Sequence, residues 1–579
     1  MTSAIESPID SIANSVVEFW TSKNNDRREW LERVTDTRRY VTAPTTAYTE
    51  VGQSLEWKNK TTIPILTQIA DNLLAYYMAA IMPTDEWFRF EGYTAEDIVK
   101  ALTIEEYMLT KLKASGFRKE MSKLVWDWIL YGNLFAGIEF VHEKAKSNIT
   151  GEEITVYRGP RLRRISPINC LIDPHARSFD ESPFVIRRLV PIPEILEYNE
   201  KSDGPLYDED AVRKVAEVRS FTDDKDFIQQ YIDTGLEIDG FKDINEYFSS
   251  GYVELLEFWG DIFDPQTNKL HKNKVITIAD RMFTLRNDDN PSWSGRKPFV
   301  HVPWRTLPDN LYGQGPLDNI VGMQYRIDHL ENAKADAWDL IMHPMIKVAG
   351  DDVDDFEYGP GQRVYVNDGD VDFIRPDVSV LNTNSEIAIY RSLMEESAGS
   401  PREMAGFRTP GEKTAFEVNV LQQGADRKFQ DKLNYLEEEG IQRVLSLFFE
   451  LLMRNFDAND IVRVFNDVTG AAELKQITKE DVVADGVFRP VGAKHFAARN
   501  KRIQELQNML LIAQNPSISP HFSGVNAGVM LEEELGWEKY NIIEENIGVR
   551  EQAMTQAVVM QMQQMLQQGG EPSPEEIPE

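Results

Sequence analysis

The chain has 579 residues, 42% apolar and 10% aromatic, enough for several hydrophobic cores, which excludes a wholly disordered protein. Its 95 carboxylates against 62 Lys and Arg leave a formal charge of −33, which excludes a general basic surface that nucleic acid could wrap, because phosphate neutralisation needs clustered cations. The single cysteine, Cys170, excludes an intrachain disulfide and fits assembly in a reducing compartment.

Met1 to Asp10 carries Glu6 and Asp10 and no secretory signal pattern. From Ile9 to Tyr40, Ile12, Val16, Phe19 and Trp20 recur at helical spacing before the polar stretch Thr21 to Arg28, predicting one or two surface helices. Ile63 to Met82 is a helix stopped by Pro83, and Trp87 to Phe90 a short strand. Helices follow at Ala95 to Ser115 and Lys119 to Tyr131, the second broken by Gly132. The period then turns extended: strands at Leu134 to His142, Glu153 to Arg158, Arg161 to Ile165 and Phe184 to Val190, with Asp173-Pro174 as a turn. Pro193 to Asn199 and Val212 to Val218 are short helices. Val253 to Asp264 and Lys274 to Phe283 form a hairpin region that closes at Phe299 to Val302. The first 300 residues or so therefore make one α+β body.

A long helix is predicted from Pro316 to His343, a rod of roughly 40 Å, with Leu317, Ile320, Met323, Ile327, Leu330 and Ala337 on its apolar face. A small β insert occupies Pro344 to Asn384, with strands at Met345 to Val348, Arg363 to Val366 and Val371 to Arg375. It is strongly acidic, holding Asp351, Asp352, Asp354, Asp355, Glu357, Asp368, Asp370, Asp372 and Asp377 against Lys347, Arg363 and Arg375. A helix returns over Ser385 to Ser397, a Gly/Pro-rich loop spans Ala398 to Lys413, and a long helix runs from Thr414 to Asn455 with Gly424 and Gly440 as bend points. Ile461 to Phe465 and Gly486 to Val491 are strands. Lys494 to Gln514, Val529 to Leu535 and the Met/Gln-rich Glu544 to Gln568 are helical, ahead of an acidic tail expected to be disordered. The apolar runs Leu73 to Met82 and Val444 to Met453 fall short of the roughly 20 residues a membrane span needs.

Little of this points to catalysis. Gly406 to Thr414 approaches a phosphate-binding G-x-x-x-x-G-K-[ST] loop, but Glu412 is inserted where backbone N–H groups must face phosphate. The eight histidines are scattered and have no cysteine partners, so zinc is not expected. The run Asp351 to Asp355 lacks EF-hand spacing and reads as a solvated acidic loop. Ile168, Leu171 and Ile172 mark Cys170 as a buried strand end rather than a nucleophile. Arg158, Arg161, Arg163 and Arg164 are expected to form ion pairs within the acidic body. No cofactor and no enzymatic activity are expected.

Three stretches carry a resemblance: Tyr131-Gly-Asn-Leu-Phe-Ala-Gly-Ile-Glu139, Arg164-Ile-Ser-Pro-Ile-Asn-Cys-Leu-Ile-Asp-Pro174, and Lys413-Thr-Ala-Phe-Glu-Val418 after the helix, insert, helix excursion. In their order and spacing the chain resembles the portal (head-to-tail connector) proteins of tailed double-stranded-DNA bacteriophages, most like those of short-tailed phages. Phe416 stands inside the T-A-x-E pattern at a position that the family leaves unspecified.

The resemblance implies an α+β, mostly helical chain assembled as a ring, likened to a dodecamer. It implies a wing (1–312), stem helices (313–343 and 385–397), a clip (344–384), a channel loop (398–413), the wing's long helix and return strands (414–495), a crown (496–548) and a C-terminal helix with an acidic tail (549–579). It also implies a conduit at one capsid vertex of the virion, assembled in the host cytoplasm, for genome packaging and ejection. Arg402, Arg408 and Lys413 of the channel loop would touch passing double-stranded DNA without sequence specificity. Asp351, Asp352, Asp354, Asp355, Glu357, Asp368, Asp370 and Asp372 of the clip would face the terminase large subunit and later the tail adaptor proteins, with major capsid protein and scaffold as further partners and no membrane involved. The alternative is another ring-forming head-tail joining (adaptor) protein.

Overall fold

The computed structural model describes residues 11–48, 59–83, 87–146, 151, 153–201, 206–221, 252–264, 268–292, 295–342, 345–348, 371–374, 383–399, 429–456, 461–465 and 472–491. The chain opens with α1 (Ser11–Asp26) and α2 (Arg28–Thr42), which meet at Arg27. Neither is a surface helix: Ala13, Val16, Trp20, Trp30 and Val34 are buried. The polar stretch between them stays almost wholly helical because Arg27, only 3% exposed, finds partners inside. Its guanidinium donates to the carbonyls of Pro167, Ile168 and Cys170 and lies beside the Trp20 ring.

The main core gathers around α3 (Ile65–Ile81) and α5 (Phe117–Tyr131), with α4 (Ala95–Ala114) beside them. Tyr77, Trp128 and Trp304 sit edge-on or tilted at 4.3–5.4 Å between ring centres. The strand β1 (Phe88–Gly92) pairs with β14 (Gly486–Pro490), so residues 400 positions apart close one side of the body. A three-stranded antiparallel sheet of order β3-β2-β9 follows, built from β2 (Asn133–Lys146), β3 (Glu153–Arg164) and β9 (Phe299–Pro303). The two strands expected across 153–165 are one continuous strand, with Gly159 and Pro160 absorbed opposite Val141 and Phe140.

The second sheet, order β4-β5-β6-β7-β8, is antiparallel throughout: β4 (Cys170–Ile172), β5 (Phe184–Pro191), β6 (Tyr252–Asp264), β7 (Lys269–Ala279) and β8 (Phe283–Asp289). The stretch read as one strand over Lys274 to Phe283 is thus two. Asp280 and Arg281 take positive φ and turn the chain between them. Alternation sends Leu256, Phe258, Ile276 and Ile278 toward α1, and Val253, Leu255 and Ala279 toward α6 (Ile192–Lys201) and α7 (Glu209–Phe221).

The long central helix, α8 (Val321–Met342), starts one turn later than Pro316. Leu317 and Ile320 are fully buried, and the chain turns tightly to bury both: Ile320 N–H donates to Leu317 O at 2.9 Å. The rod is therefore 22 residues, roughly 33 Å. Beyond it β10 (Met345–Val348) pairs antiparallel with β11 (Val371–Ile374), and α9 (Asn384–Ala398) comes back to pack on α8, where Lys334 Nζ meets Asn384 Oδ1 at 3.1 Å. Residues 429–436 are helical and pass through a π-helical turn (Glu437–Ile441) into α10 (Gln442–Arg454). Gly440, one of the two expected bends, lies in that turn; a Cβ there would stand 3.1 Å from Val302 Cγ2. The other, Gly424, lies outside the described residues. β12 (Ile461–Phe465) pairs with β13 (Ala472–Gln476), and the short α11 (Lys479–Val482) leads into β14. The architecture is mixed α and β. No described helix is long and apolar enough to cross a membrane.

Candidate functional site

The residues singled out as a channel loop, Arg402, Arg408 and Lys413, lie outside the described residues, as do the clip acids Asp351, Asp352, Asp354, Asp355, Glu357, Asp368 and Asp370. Asp372 is on β11, in register with Lys347 on β10. The helices expected after Lys494 also lie outside. What the structure brings together is the foot of α8, where two of the three stretches that carry the resemblance converge.

Gly132 ends α5 in the left-handed region at φ 66°, and its backbone runs against Gly315: a Cβ on Gly132 would lie 2.4 Å from Gly315 N. Gly313 is as tight, with a Cβ position 2.7 Å from Gly132 O. Only side chains without a Cβ let these strands of backbone approach so closely. Asn133, fully buried, then joins them. Its Oδ1 accepts from Gly313 N at 2.8 Å, and its Nδ2 donates to Tyr131 O at 3.1 Å and to Gly313 O at 3.2 Å. With that amide oriented, His301 Nε2, 3.0 Å from Asn133 Oδ1, must be the donor, which fixes its tautomer. Burial pulls the imidazole down to about 3, so it is neutral.

The second stretch arrives from the other side. Leu311 N–H donates to Pro174 O at 2.9 Å, and the buried Tyr312 hydroxyl accepts from Ile172 N at 3.2 Å while its ring lies 4.6 Å from Trp30. Asp318 closes the junction: its carboxylate accepts from Gly315 N at 3.1 Å and pairs with Arg33 of α2 at 3.2 Å. Five segments thus pin the start of α8 through directional bonds.

Above the foot, α8 presents amide and carboxylate groups at four-residue intervals, Gln324, Asp328, Asn332 and Asp336, to the extended residues 59–64. Asn332 bonds Thr61 in both directions, Oδ1 accepting from its N–H at 2.7 Å and Nδ2 donating to its carbonyl at 2.8 Å, as a neighbouring strand would. Asp328 accepts from Thr62 Oγ1 at 2.8 Å, Ile63 N at 3.0 Å and Gln324 Nε2 at 2.9 Å. Burial pushes its carboxyl up to about 6. Asp336 takes Asn59 through its N–H and side chain, at 3.0 and 2.7 Å. Sequence reading followed the apolar stripe of this helix and missed the polar one. Its signal was the strict four-residue spacing of groups able to mimic a backbone.

Asp328→Asn is expected to replace one acceptor oxygen by a donor facing Thr62 or Ile63, weakening the strap by about 1–3 kcal/mol. Hydrogen exchange at the Thr61 and Ile63 amides should speed up while the five-stranded sheet stays protected.

The arginine run is internal. Arg161 pairs with Glu143 at 2.5 Å, Arg163 with Glu139 at 3.2 Å, and Arg164 grips the buried Asp127 through two bonds of 2.5 and 2.8 Å. Burial lifts the Asp127 carboxyl to about 6 against the pull of that fork. Cys170 is fully buried on β4, and burial raises its thiol far above the range of a reactive thiolate. Among the described residues no three His, Cys, Asp or Glu side chains come together to hold a metal ion. Set beside known proteins, no family model matches the chain and no curated protein matches it.

Proposed function

We propose that the chain is a subunit of a phage portal ring, the conduit through which a double-stranded genome is packaged and ejected. The observation that carries this reading is the excursion after residue 320: a long helix rooted at a rigid foot, a small antiparallel β unit beyond its end, and a second helix returning to pack on the first. Such a spoke has a use where several copies surround an axis. The formal charge of −33 agrees, since a ring of acidic subunits repels the duplex and lets it slide. Arg402, Arg408 and Lys413 then serve as sparse handholds for phosphate, and the acidic clip is the docking face for the terminase large subunit and, later, tail adaptors.

The foot of α8 fits a mechanical part of this kind. Its bonds are buried and directional, so a load on the helix reaches the body without slack. Negative-stain images of the purified protein test the reading: rings of about twelve subunits with a central hole are expected, and a monomer overturns it.

A further inference from the structure

The sheet β3-β2-β9 extends past its base as a two-stranded ribbon, because β9 covers β2 only as far as Gly137. Beyond that point both strands face solvent, with Ile154 and Val156 50% and 60% exposed. Val156 is the extra residue of a bulge, between Tyr157 opposite Glu143 and Thr155 opposite Lys144. The bulge and the lysines guard the edge against strand addition, so a partner would meet side chains here and not backbone. In a chain of charge −33, β2 and β3 carry six cations against three carboxylates.

A second surface has the opposite character. The first three turns of α4 expose Ile98 and Leu102, 62% and 72% exposed and four residues apart on one helical face. Tyr93 just before the helix is exposed as well. Around them the same turns hold Glu96, Asp97, Glu105 and Glu106 against Lys100.

The two surfaces lie at opposite ends of α4. Lys111 in its last turn donates to Arg158 O on β3 at 3.1 Å, whereas Ile98 is thirteen residues, roughly 20 Å, away along the helix. One copy therefore offers them to two different neighbours.

We infer that the ribbon of one copy of this chain docks on the acidic, apolar start of α4 in the next copy. Apolar groups meet apolar groups inside a rim of opposite charges, and because the two surfaces differ the contact is head-to-tail, the type that closes into a ring when the rotation allows. The inference rests on the ring reading and supplies an interface for it.

Cysteine cross-linking tests it, since the native Cys170 is buried out of a reagent's reach. Leu102→Cys and Val156→Cys fall at exposed positions and should leave the thermal melt unchanged. With a short bismaleimide, the full chain carrying both substitutions should give a ladder of dimers, trimers and higher species, while each single variant stays uncross-linked. Lys146→Glu in the double variant should lower ladder yield at least fivefold, and adding Glu96→Lys should restore most of it. Wild-type rings in the images with no ladder from the double variant overturn this interface and leave the ring reading standing. Dimers from Val156→Cys alone would mean a like-with-like contact and also overturn it. A wild-type monomer removes both.

Discussion

Gly132→Ala should destabilise the body by about 2–5 kcal/mol, combining the penalty for a side chain in the left-handed region with overpacking against a backbone that has no room to yield. The new methyl would sit 2.4 Å from Gly315 N and 2.7 Å from Gln314 C, and both belong to the segment held by Asn133 and Asp318. Relief by side-chain rotation is impossible because the obstacle is main chain. Gly322→Ala on the first turn of α8 is the control. Nothing lies within 4 Å of that Cβ position, and the helix should gain about 0.5 kcal/mol from the lost freedom of the unfolded chain. The same change of one methyl should thus move the thermal midpoint in opposite directions. Two variants with equal midpoints would contradict the role given to the junction.

Acid should attack the same place. His301 is neutral in the folded protein, with burial holding it near 3, whereas in the unfolded chain it titrates near 6.5. Between those values the unfolded state binds a proton that the folded state refuses, so stability falls as pH drops from about 6.5 toward about 3, by roughly 1.4 kcal/mol per unit from this one group. At pH 4.5 the loss is on the order of 2–3 kcal/mol relative to pH 7. His301→Gln keeps an amide donor within reach of Asn133 Oδ1 and removes the titration. Urea unfolding at both pH values should show a smaller difference for the variant than for the wild type, and equal differences would exclude His301 as a source of acid sensitivity.

The helices and strands were legible wherever a single period governed a stretch: α3, α4, α5, β5 and α9 lie within a few residues of their expected limits. Where two demands competed, the sequence pattern misled. Thr21 to Arg28 looks like a solvated break because a cation has no evident partner nearby, yet Arg27 is satisfied by carbonyls about 140 residues downstream. Pro316 is well suited to a first helical turn, but burying Leu317 and Ile320 while Asp318 reaches Arg33 demands a tighter bend there. The stretches Tyr131 to Glu139 and Arg164 to Pro174 drew notice as sequence. That they meet Leu311 to Gly315 at one point could not be read from spacing, since the contacts are between backbones and leave only glycines and one asparagine as their trace.

The strap over residues 59–64 has a consequence for biosynthesis. Its partners on α8 lie about 260 to 280 residues later in the chain. At a ribosomal rate of roughly 5–20 residues per second, the strap and the apolar start of α3 emerge about 13–55 seconds before the helix that holds them. During that interval Ile65, Leu66 and Ile69, all buried at the end, have only α2 and the early helices for cover. Completion of α8 is therefore the event that ends the exposure of the N-terminal body, and nascent chains paused before residue 342 are the ones that chaperones should hold longest.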